Sequence, residues 1–474
     1  MSIVNIDINT FKQNFDVSKE IRYKYAEINT PFFLIEKILD LIDEHEFTMP
    51  HKKWLDIGTG CGYFSIVLYT KLFKGLVGKI KDPGERSRHI IENMIYMTEI
   101  REENWKILED VFGENCNLFK GDFLSLNINE VFDFVIGNPP YNNNGLKKVP
   151  SNTLSNKKED GTTVWIPFIK KSVDLLKENG VMTVIIPSIW LKKDKAKMNE
   201  FMMNYCIEYL NCMTNTETNR VFNNYAQTPT CYFKLTKSKN PGYMIVFDKD
   251  LEEYLKWDMR ENNGEIITKN NTKHFLNNKP IPLYGYSVIQ KLICKLNHET
   301  KLSVIKTNLP SKLSKFSKVK TDIFMYPCIN TCKLDGLKPM LDIEYSNMKE
   351  AYYGIPKLIM AHKMYGFPYL DAEGEYGISN RDNYVIIGKT VEELKRLKAF
   401  FSTKVALYLF ESTRYRMKYL EKYIFELIPD ITKLTDFPEI INDDTIASYF
   451  KLTNKDRENV NRLHKKKYEW FMDS

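Results

Sequence analysis

Between residues 54 and 235 the chain repeats one pattern: a short apolar run that ends in a turn or an acidic residue, then a stretch with helical spacing. The runs fall at 54–57, 94–100, 116–119, 131–136, 181–186, 207–213 and 230–235, with helices expected at 102–112 and 164–178. Strands alternating with helices specify a doubly wound α/β sheet, because a helical crossover is what returns the chain to lay the next strand parallel. Ligands of such sheets sit outside the carboxyl ends of the strands, so functional residues are expected just after the apolar runs. An amphipathic helix at 30–48 precedes the pattern, with Phe33, Ile35, Ile38, Leu39 and Ile42 behind Thr30-Pro31, which reads as a cap and a first-turn proline.

Two polar segments interrupt the rhythm. Residues 79–89 contain a Pro-Gly turn that lengthens the first crossover, and 142–163, rich in Asn, Ser, Lys and Gly, read as a mobile loop. Past Phe247 the alternation fades, and a boundary is expected within 240–275, giving domains at 1–255 and 256–474. The second part offers a hairpin, 357–363 against 376–387 across Asp371-Ala372-Glu373-Gly374, and helices at 391–416 and 454–471. A length of 474 residues suits two or three domains.

Charge separates the two parts. Residues 1–260 carry 34 Lys+Arg against 35 Asp+Glu, whereas 261–474 carry 34 against 26, a net of +8. Within the basic part, 300–321 hold Lys301, Lys306, Lys312, Lys315, Lys318 and Lys320 and no acid, a run able to neutralise phosphates or simply to form a solvated face. The eight cysteines are scattered and lack paired zinc-ligand spacing, so they read as buried thiols of a reducing compartment, with no metal expected. The first twenty residues have neither a basic n-region nor an apolar core, and no apolar run reaches the ~18 residues of a membrane span, so a soluble, intracellular, cytoplasmic protein without a membrane partner is expected.

Chemistry concentrates at the strand ends. Asp56-Ile57-Gly58-Thr59-Gly60-Cys61-Gly62 follows the first apolar run and opens a helix, so three glycines and a helix N-terminus let backbone approach a ligand closely. The spacing differs from the G-x-G-x-x-G of dinucleotide folds. Glu99 ends the second run and suits a ribose diol, with Glu85 the competitor by distance from the glycines. Gly121-Asp122-Phe123 ends the third, where a carboxylate can accept an adenine amino hydrogen and a ring can cover the base. Asn138-Pro139-Pro140-Tyr141 ends the fourth. Two prolines fix the backbone so that the Asn138 amide oxygen and the Pro139 carbonyl present paired acceptors to a planar amino group, with Tyr141 as a stacking face.

On these residues, and on 25–33 and Val221-Phe222-Asn223-Asn224-Tyr225, the chain resembles the gamma class of restriction-modification adenine-N6 DNA methyltransferases. The resemblance covers the first half well and 357–387 and 419–429 more loosely. It implies a Rossmann-like methyltransferase sheet of seven strands, the last antiparallel, followed by a mixed α+β DNA target-recognition domain. It implies S-adenosyl-L-methionine as cofactor, S-adenosyl-L-homocysteine as product, duplex DNA as substrate and a cognate restriction endonuclease or specificity subunit as partner. Thr30 and Pro31 match the segment at the cofactor's methionine end. Asp56, Gly58, Gly60 and Gly62 match the loop, Glu99 the ribose carboxylate, and Asp122 and Phe123 the adenine contacts. Asn138, Pro139, Pro140 and Tyr141 match the target-base site, and Phe222 an aromatic against the flipped base, though Asn223 stands where glycine or proline often follows. Base reading is expected from Lys363, Asn380 and Arg381 on the polar hairpin. The same tetrad also serves methylation of a protein glutamine or of RNA adenine, and a non-catalytic specificity or scaffold subunit can keep such a fold.

Overall fold

Trp54–Ile57, the first strand (β1), is buried along its whole length, as a strand covered on both faces must be. In the computed structural model, which describes residues 28–142, 163–226, 228–258, 266–267, 273–274, 279–297, 299–335, 338–362, 366–416 and 420–462, β1 lies parallel between β2 (Ile95–Glu99) and β4 (Phe132–Gly137). With β3 (Asn117–Lys120), β5 (Leu176–Pro187), β6 (Tyr205–Met213) and β7 (Thr230–Lys239), the order runs β3-β2-β1-β4-β5-β7-β6. The strand order reverses between β1 and β4, the place where doubly wound sheets hold ligands. β7 is antiparallel to both of its neighbours. This is the doubly wound order with an antiparallel last strand that the resemblance implies, extended beyond seven strands by β8 (Tyr243–Asp248) and β9 (Glu253–Asp258). β8 forms because Met244, Val246 and Asp248 alternate inward with a period of two.

Several local expectations change. The first helix, α1, spans only Phe32–Leu39; a separate 3-10 turn at Glu44–Thr48 completes the segment, capped by Asp43. Phe33, counted on its apolar face, is exposed, while Phe32 and Leu34 are buried. After α2 (Tyr63–Gly75), the Pro-Gly pair at 83–84 makes no turn. Asp82 accepts the Glu85 N–H at 2.7 Å, and α3 (Pro83–His89) begins on the proline, whose missing N–H costs nothing at that position. α4 (Glu102–Phe112) lies as read. α5 (Trp165–Leu175) is shorter than 164–178, because the chain enters β5 at Leu176 and Asn179 adopts φ +60° where β5 loses register with β4. α6 (Met198–Met202) and α7 (Asn215–Val221) close the crossovers before β6 and β7.

The chain divides into two compact units, one of Met1–Trp190, Asp194–Phe247 and Tyr254–Trp257, the other of Leu191–Lys193, Asp248–Glu253 and Asp258–Ser474. The second is mixed α+β. A two-residue pair, β10 (Ile266–Ile267) with β11 (Lys273–His274), is followed by two four-stranded sheets. One is ordered β12 (Ile305–Lys306), β19 (Asn383–Ile386), β16 (Lys357–Ala361), β17 (Tyr369–Asp371). The other is ordered β13 (Phe316–Ser317), β15 (Lys338–Ser346), β14 (Tyr326–Asp335), β18 (Gly377–Ile378). The expected hairpin is therefore different: β16 pairs with β17 on one side and β19 on the other, while β18 joins the second sheet. The helix expected at 391–416 is two, Val391–Phe401 and Lys404–Ser412, because the Thr403 hydroxyl accepts the Ala406 N–H and starts a new one. The last helix runs Asn454–Asn461, and 463–474 lie outside the described residues.

Not every thiol is buried. Cys61, Cys212, Cys231, Cys328 and Cys332 are, Cys116 and Cys206 are half-buried, and Cys294 is exposed just past the helix Tyr286–Ile293. All eight are free. Among the described residues no helix is long and apolar enough to cross a membrane.

Candidate active site

β1 hands over to α2 through a loop whose three glycines, Gly58, Gly60 and Gly62, have φ of +65°, +59° and +94°. The end of β2 clasps this loop. The Gly58 N–H donates to the Thr98 hydroxyl at 3.0 Å, the Thr59 N–H to the Thr98 carbonyl at 2.9 Å, and the Gly60 N–H to Glu99 Oε2 at 2.8 Å. Glu99 Oε1 accepts the Arg101 N–H at 2.8 Å. Glu99 is thus the carboxylate against the glycine loop. Glu85 stands exposed in the first turn of α3, within the first crossover.

Below the loop, Asp56 is buried and its Oδ2 accepts the Ser65 hydroxyl at 2.7 Å. Burial pushes the Asp56 carboxyl up to about 7, against the pull of the Ser65 bonds and helped by the nearby Glu99 charge. A carboxyl whose pKa rises on folding holds its proton more tightly in the folded state, so its contribution is full below the unfolded value and falls as pH rises towards 7. Asp56→Asn keeps an acceptor for Ser65 and removes that titration. Relative to wild type, its unfolding free energy is expected to flatten between about pH 4 and 7, where a single carboxyl gives at most about 1.4 kcal/mol per pH unit. Urea unfolding of both proteins across that range checks this, and parallel curves would contradict it.

β4 ends at Gly137, with φ +138°, where a Cβ would fall 2.8 Å from the Ile57 carbonyl oxygen and 3.2 Å from Asp56 Oδ1. Only glycine lets β4 lie this close to β1, in the register Ile57↔Gly137. The Asn138-Pro139-Pro140-Tyr141 tetrad therefore emerges beside the glycine loop. A Cβ on Gly58 would stand 3.5 Å from Pro140 Cδ and 3.9 Å from Pro139 Cα. The two strand ends thus share one wall.

Asn138 Nδ2 donates to the hydroxyl of Thr30, itself buried, at 3.1 Å. Thr30 does not cap α1: its N-cap is Pro31, and no side-chain bond closes that terminus. The opposite end of the Asn138 amide, Oδ1, is buried and accepts no hydrogen bond from any described residue. An acceptor left so costs about 1–3 kcal/mol, a cost that a bound donor relieves. Among the described residues nothing donates to the Pro139 carbonyl either. Tyr141 points its hydroxyl at the Ile185 carbonyl at 3.5 Å, and burial raises its pKa, keeping the phenol protonated. Its carbonyl accepts the Val164 N–H at 3.1 Å, next to an Asn142–Thr163 bridge, while 143–162, the body of the expected mobile loop, lie outside the described residues.

Asp122 is exposed and closes the turn after β3: Oδ1 accepts the Leu124 N–H at 3.0 Å and Oδ2 the Ser125 hydroxyl at 3.0 Å. Phe123 is buried, its ring 5.0 Å from that of Phe168. One residue that the sequence did not single out holds this corner. Lys171 of α5 donates to the carbonyls of Phe123 at 2.5 Å and Leu126 at 2.6 Å, with its ammonium 5.0 Å from the Phe123 ring centroid. Phe222 is buried in the core at the C-cap of α7, and the exposed aromatic of that segment is Tyr225. Asn223 and Asn224 have φ of +49° and +68°, the left-handed turn that glycine would otherwise supply.

Residues 63–222 match the profile of the Eco57I restriction-modification methylase family. The likeness to that methylase family is confined to this span, about a third of the chain. The matched span begins at the first residue of α2 and ends on Phe222, so it takes in Glu99, Asp122 and the tetrad but neither Thr30 nor the glycine loop. The chain is 28% identical over 189 residues to the type II methyltransferase M.AccI of Acinetobacter calcoaceticus, 38% of this chain and 31% of that protein. It is 26% identical over 251 residues to M.BstVI of Geobacillus stearothermophilus, covering 47% and 44%. It is 24% identical over 160 residues to the tRNA1(Val) (adenine(37)-N6)-methyltransferase of Bacteroides thetaiotaomicron, covering 34% and 62%. The matches thus span less than half of M.AccI and M.BstVI. Among solved structures, the M protein of the type I restriction enzyme EcoKI aligns over 47% of this chain and 48% of its own, at 16% identity and a TM-score of 0.35.

Outside the matched span, the expected base-reading residues fare unequally. Asn380 is spent internally: its amide nitrogen donates to the Asn330 carbonyl at 2.6 Å, and its oxygen accepts the Asp382 N–H at 2.8 Å. Arg381 occupies the turn between β18 and β19, and Lys363 lies outside the described residues. Among the described residues no group of three or more His, Cys, Asp or Glu gathers at metal-ligand distance.

Proposed function

We propose that this chain transfers a methyl group from S-adenosylmethionine to N6 of an adenine flipped out of duplex DNA at a specific site. The observation that carries the reading is Asn138 Oδ1, a buried acceptor without a donor, held from behind by Thr30 and set beside the glycine loop. The residues present suit the cofactor. Positive-φ glycines leave its approach clear, and Glu99 sets its carboxylate against the loop, where a ribose diol would donate to it. When bound, S-adenosylmethionine supplies a methyl group activated by its sulfonium.

The N6 lone pair of adenine is delocalised into the ring, so the amine is a weak nucleophile. Asn138 Oδ1 and the Pro139 carbonyl would accept its two hydrogens, favouring a pyramidal nitrogen whose lone pair is freed. The prolines keep both acceptors fixed before the base arrives, so little reorganisation remains at the moment of reaction. Once N6 is methylated, the displaced proton leaves through these acceptors to water. Tyr141, protonated and half-buried, offers a face that offsets the stacking the base loses on leaving the duplex. Duplex DNA as substrate and a restriction endonuclease or specificity subunit as partner follow from the resemblance and from the +8 charge of residues 261–474.

An RNA adenine is the second reading, favoured by the similarity to the Bacteroides tRNA enzyme. One experiment separates them: transfer of labelled methyl to unmethylated duplex DNA, RNA and protein, followed by hydrolysis to nucleosides and amino acids. Label in N6-methyldeoxyadenosine is expected. Label in ribonucleosides or glutamine would overturn the DNA reading.

A further inference from the structure

Residues 309–325 of the second unit expose large apolar side chains to a degree that a solvated basic segment does not require. Leu309, Leu313, Val319 and Ile323 are 65%, 76%, 67% and 70% exposed. Their backbone is nonetheless held in place. Phe316 and Ser317 form the edge strand β13 against Ser346 and Tyr345 of β15, the Lys315 N–H donates to Asn347 Oδ1 at 2.8 Å, and the Thr321 N–H to the Phe324 carbonyl at 3.2 Å. Interleaved with the apolar residues, Lys312, Lys315 and Lys320 are exposed and form no ion pair among the described residues, whereas Lys318 is bound to Asp342 at 3.0 Å. A fixed backbone carrying exposed apolar groups and uncompensated cations marks a contact surface.

We propose that residues 309–325 contact duplex DNA, with Lys312, Lys315 and Lys320 on phosphates and Leu313, Val319 and Ile323 against sugars and base edges in the adjoining groove. The proposal rests on the DNA reading above. Two features favour nucleic acid over a protein partner. The run 300–321 contains no acid of its own, and Lys312, Lys315 and Lys320 form no ion pair among the described residues. Its cations are all lysine and its most exposed side chains are aliphatic, whereas protein interfaces are enriched in Tyr, Trp and Arg and depleted in Lys. Phosphates need only point charges, and sugars and thymine methyl groups accept aliphatic contact.

The test uses the full chain, duplex DNA and two surface variants, Lys312→Gln/Lys315→Gln/Lys320→Gln and Leu313→Ser/Ile323→Ser, with binding followed by fluorescence anisotropy from about 50 to about 200 mM salt. Each phosphate contact contributes about 0.9 to the slope of log affinity against log salt, so the lysine variant is expected to flatten it by about 2.7. The apolar variant is expected to weaken binding about tenfold or more at every salt concentration while keeping the slope. Wild-type slope and affinity in both variants would overturn the proposal. So would an apolar variant that alters only the oligomeric state in light scattering, which would make the segment an interface between copies. If wild type methylates DNA and the variants bind like it, this inference fails and the function stands. If wild type neither binds nor methylates DNA, both fail.

Discussion

Under the proposed function, Asn138→Ala is expected to reduce methyl transfer by at least about 10²–10³-fold, because it would delete one of the two acceptors proposed to shape the reacting nitrogen. Cofactor affinity is expected to stay within about twofold, since the glycine loop is built on Thr98 and Glu99 and takes no bond from Asn138. Thr30→Val tests the same site from behind. It removes the hydroxyl that holds Nδ2 at 3.1 Å and leaves Oδ1 in place but free to rotate. Misplacement without deletion is expected to cost about 10–10²-fold, less than the alanine variant. Single-turnover transfer of labelled methyl, beside calorimetric titration of S-adenosylmethionine, separates the two quantities. Loss of transfer and cofactor binding together in Asn138→Ala would mean that the tetrad is structural. Because removing an unsatisfied buried acceptor relieves a desolvation penalty, Asn138→Ala is also expected to leave stability unchanged or slightly raised, the opposite of an ordinary core truncation.

Why Thr30 was misread from sequence shows what sequence can carry. Thr30-Pro31 has the local signature of a helix start, and the helix does start there, but the hydroxyl is spent on a residue 108 positions away. Strand positions such as 54–57 were legible because burial on both faces forces a continuous apolar run. Glu99 was legible as a strand-end acid, and the structure sets it against Gly60 where sequence spacing alone left Glu85 in contention. Lys171 was not legible. A lysine on an amphipathic helix reads as solvated, and only the fold brings carbonyls from the turn after β3 beneath it. In the second unit the pairings of β12, β13 and β18 rest on two residues each, too few for any periodicity, so the run 376–387 hid a break: its second part, β19, pairs with β16 as expected, while β18 joins the other sheet. Asn380 was picked for its chemistry as a base reader, yet the same amide satisfies Asn330 within the protein. Residue type constrains what a group can do, and long-range contacts decide whether it is available to do it.

The largest stability effect is expected at Lys357, which the hairpin reading treated as an ordinary strand residue. Its ammonium is wholly buried and donates to Asp371 Oδ2 at 2.5 Å, the Tyr352 carbonyl at 3.0 Å and the Ile355 carbonyl at 3.1 Å. Asp371 in turn accepts the Glu375 and Tyr376 N–H groups, which fix the turn between β17 and β18. Burial pulls the Lys357 ammonium below its ordinary range despite the opposing carboxylate, so desolvation outweighs attraction at this site. A pair of that kind contributes little over an apolar pair of equal volume, yet either member alone is a buried, uncompensated charge. Lys357→Met is therefore expected to destabilise the second unit by about 3–5 kcal/mol, lowering its unfolding midpoint by on the order of 10 °C. Lys357→Met/Asp371→Leu is expected to lose less than the single variant, the excess of Asp371→Leu being limited to the two N–H groups it orphans. Calorimetry on the three proteins decides it. Additive losses would mean that the two residues act independently and that packing, rather than charge, sets the cost; recovery in the double variant would show that the unpaired carboxylate was the damage.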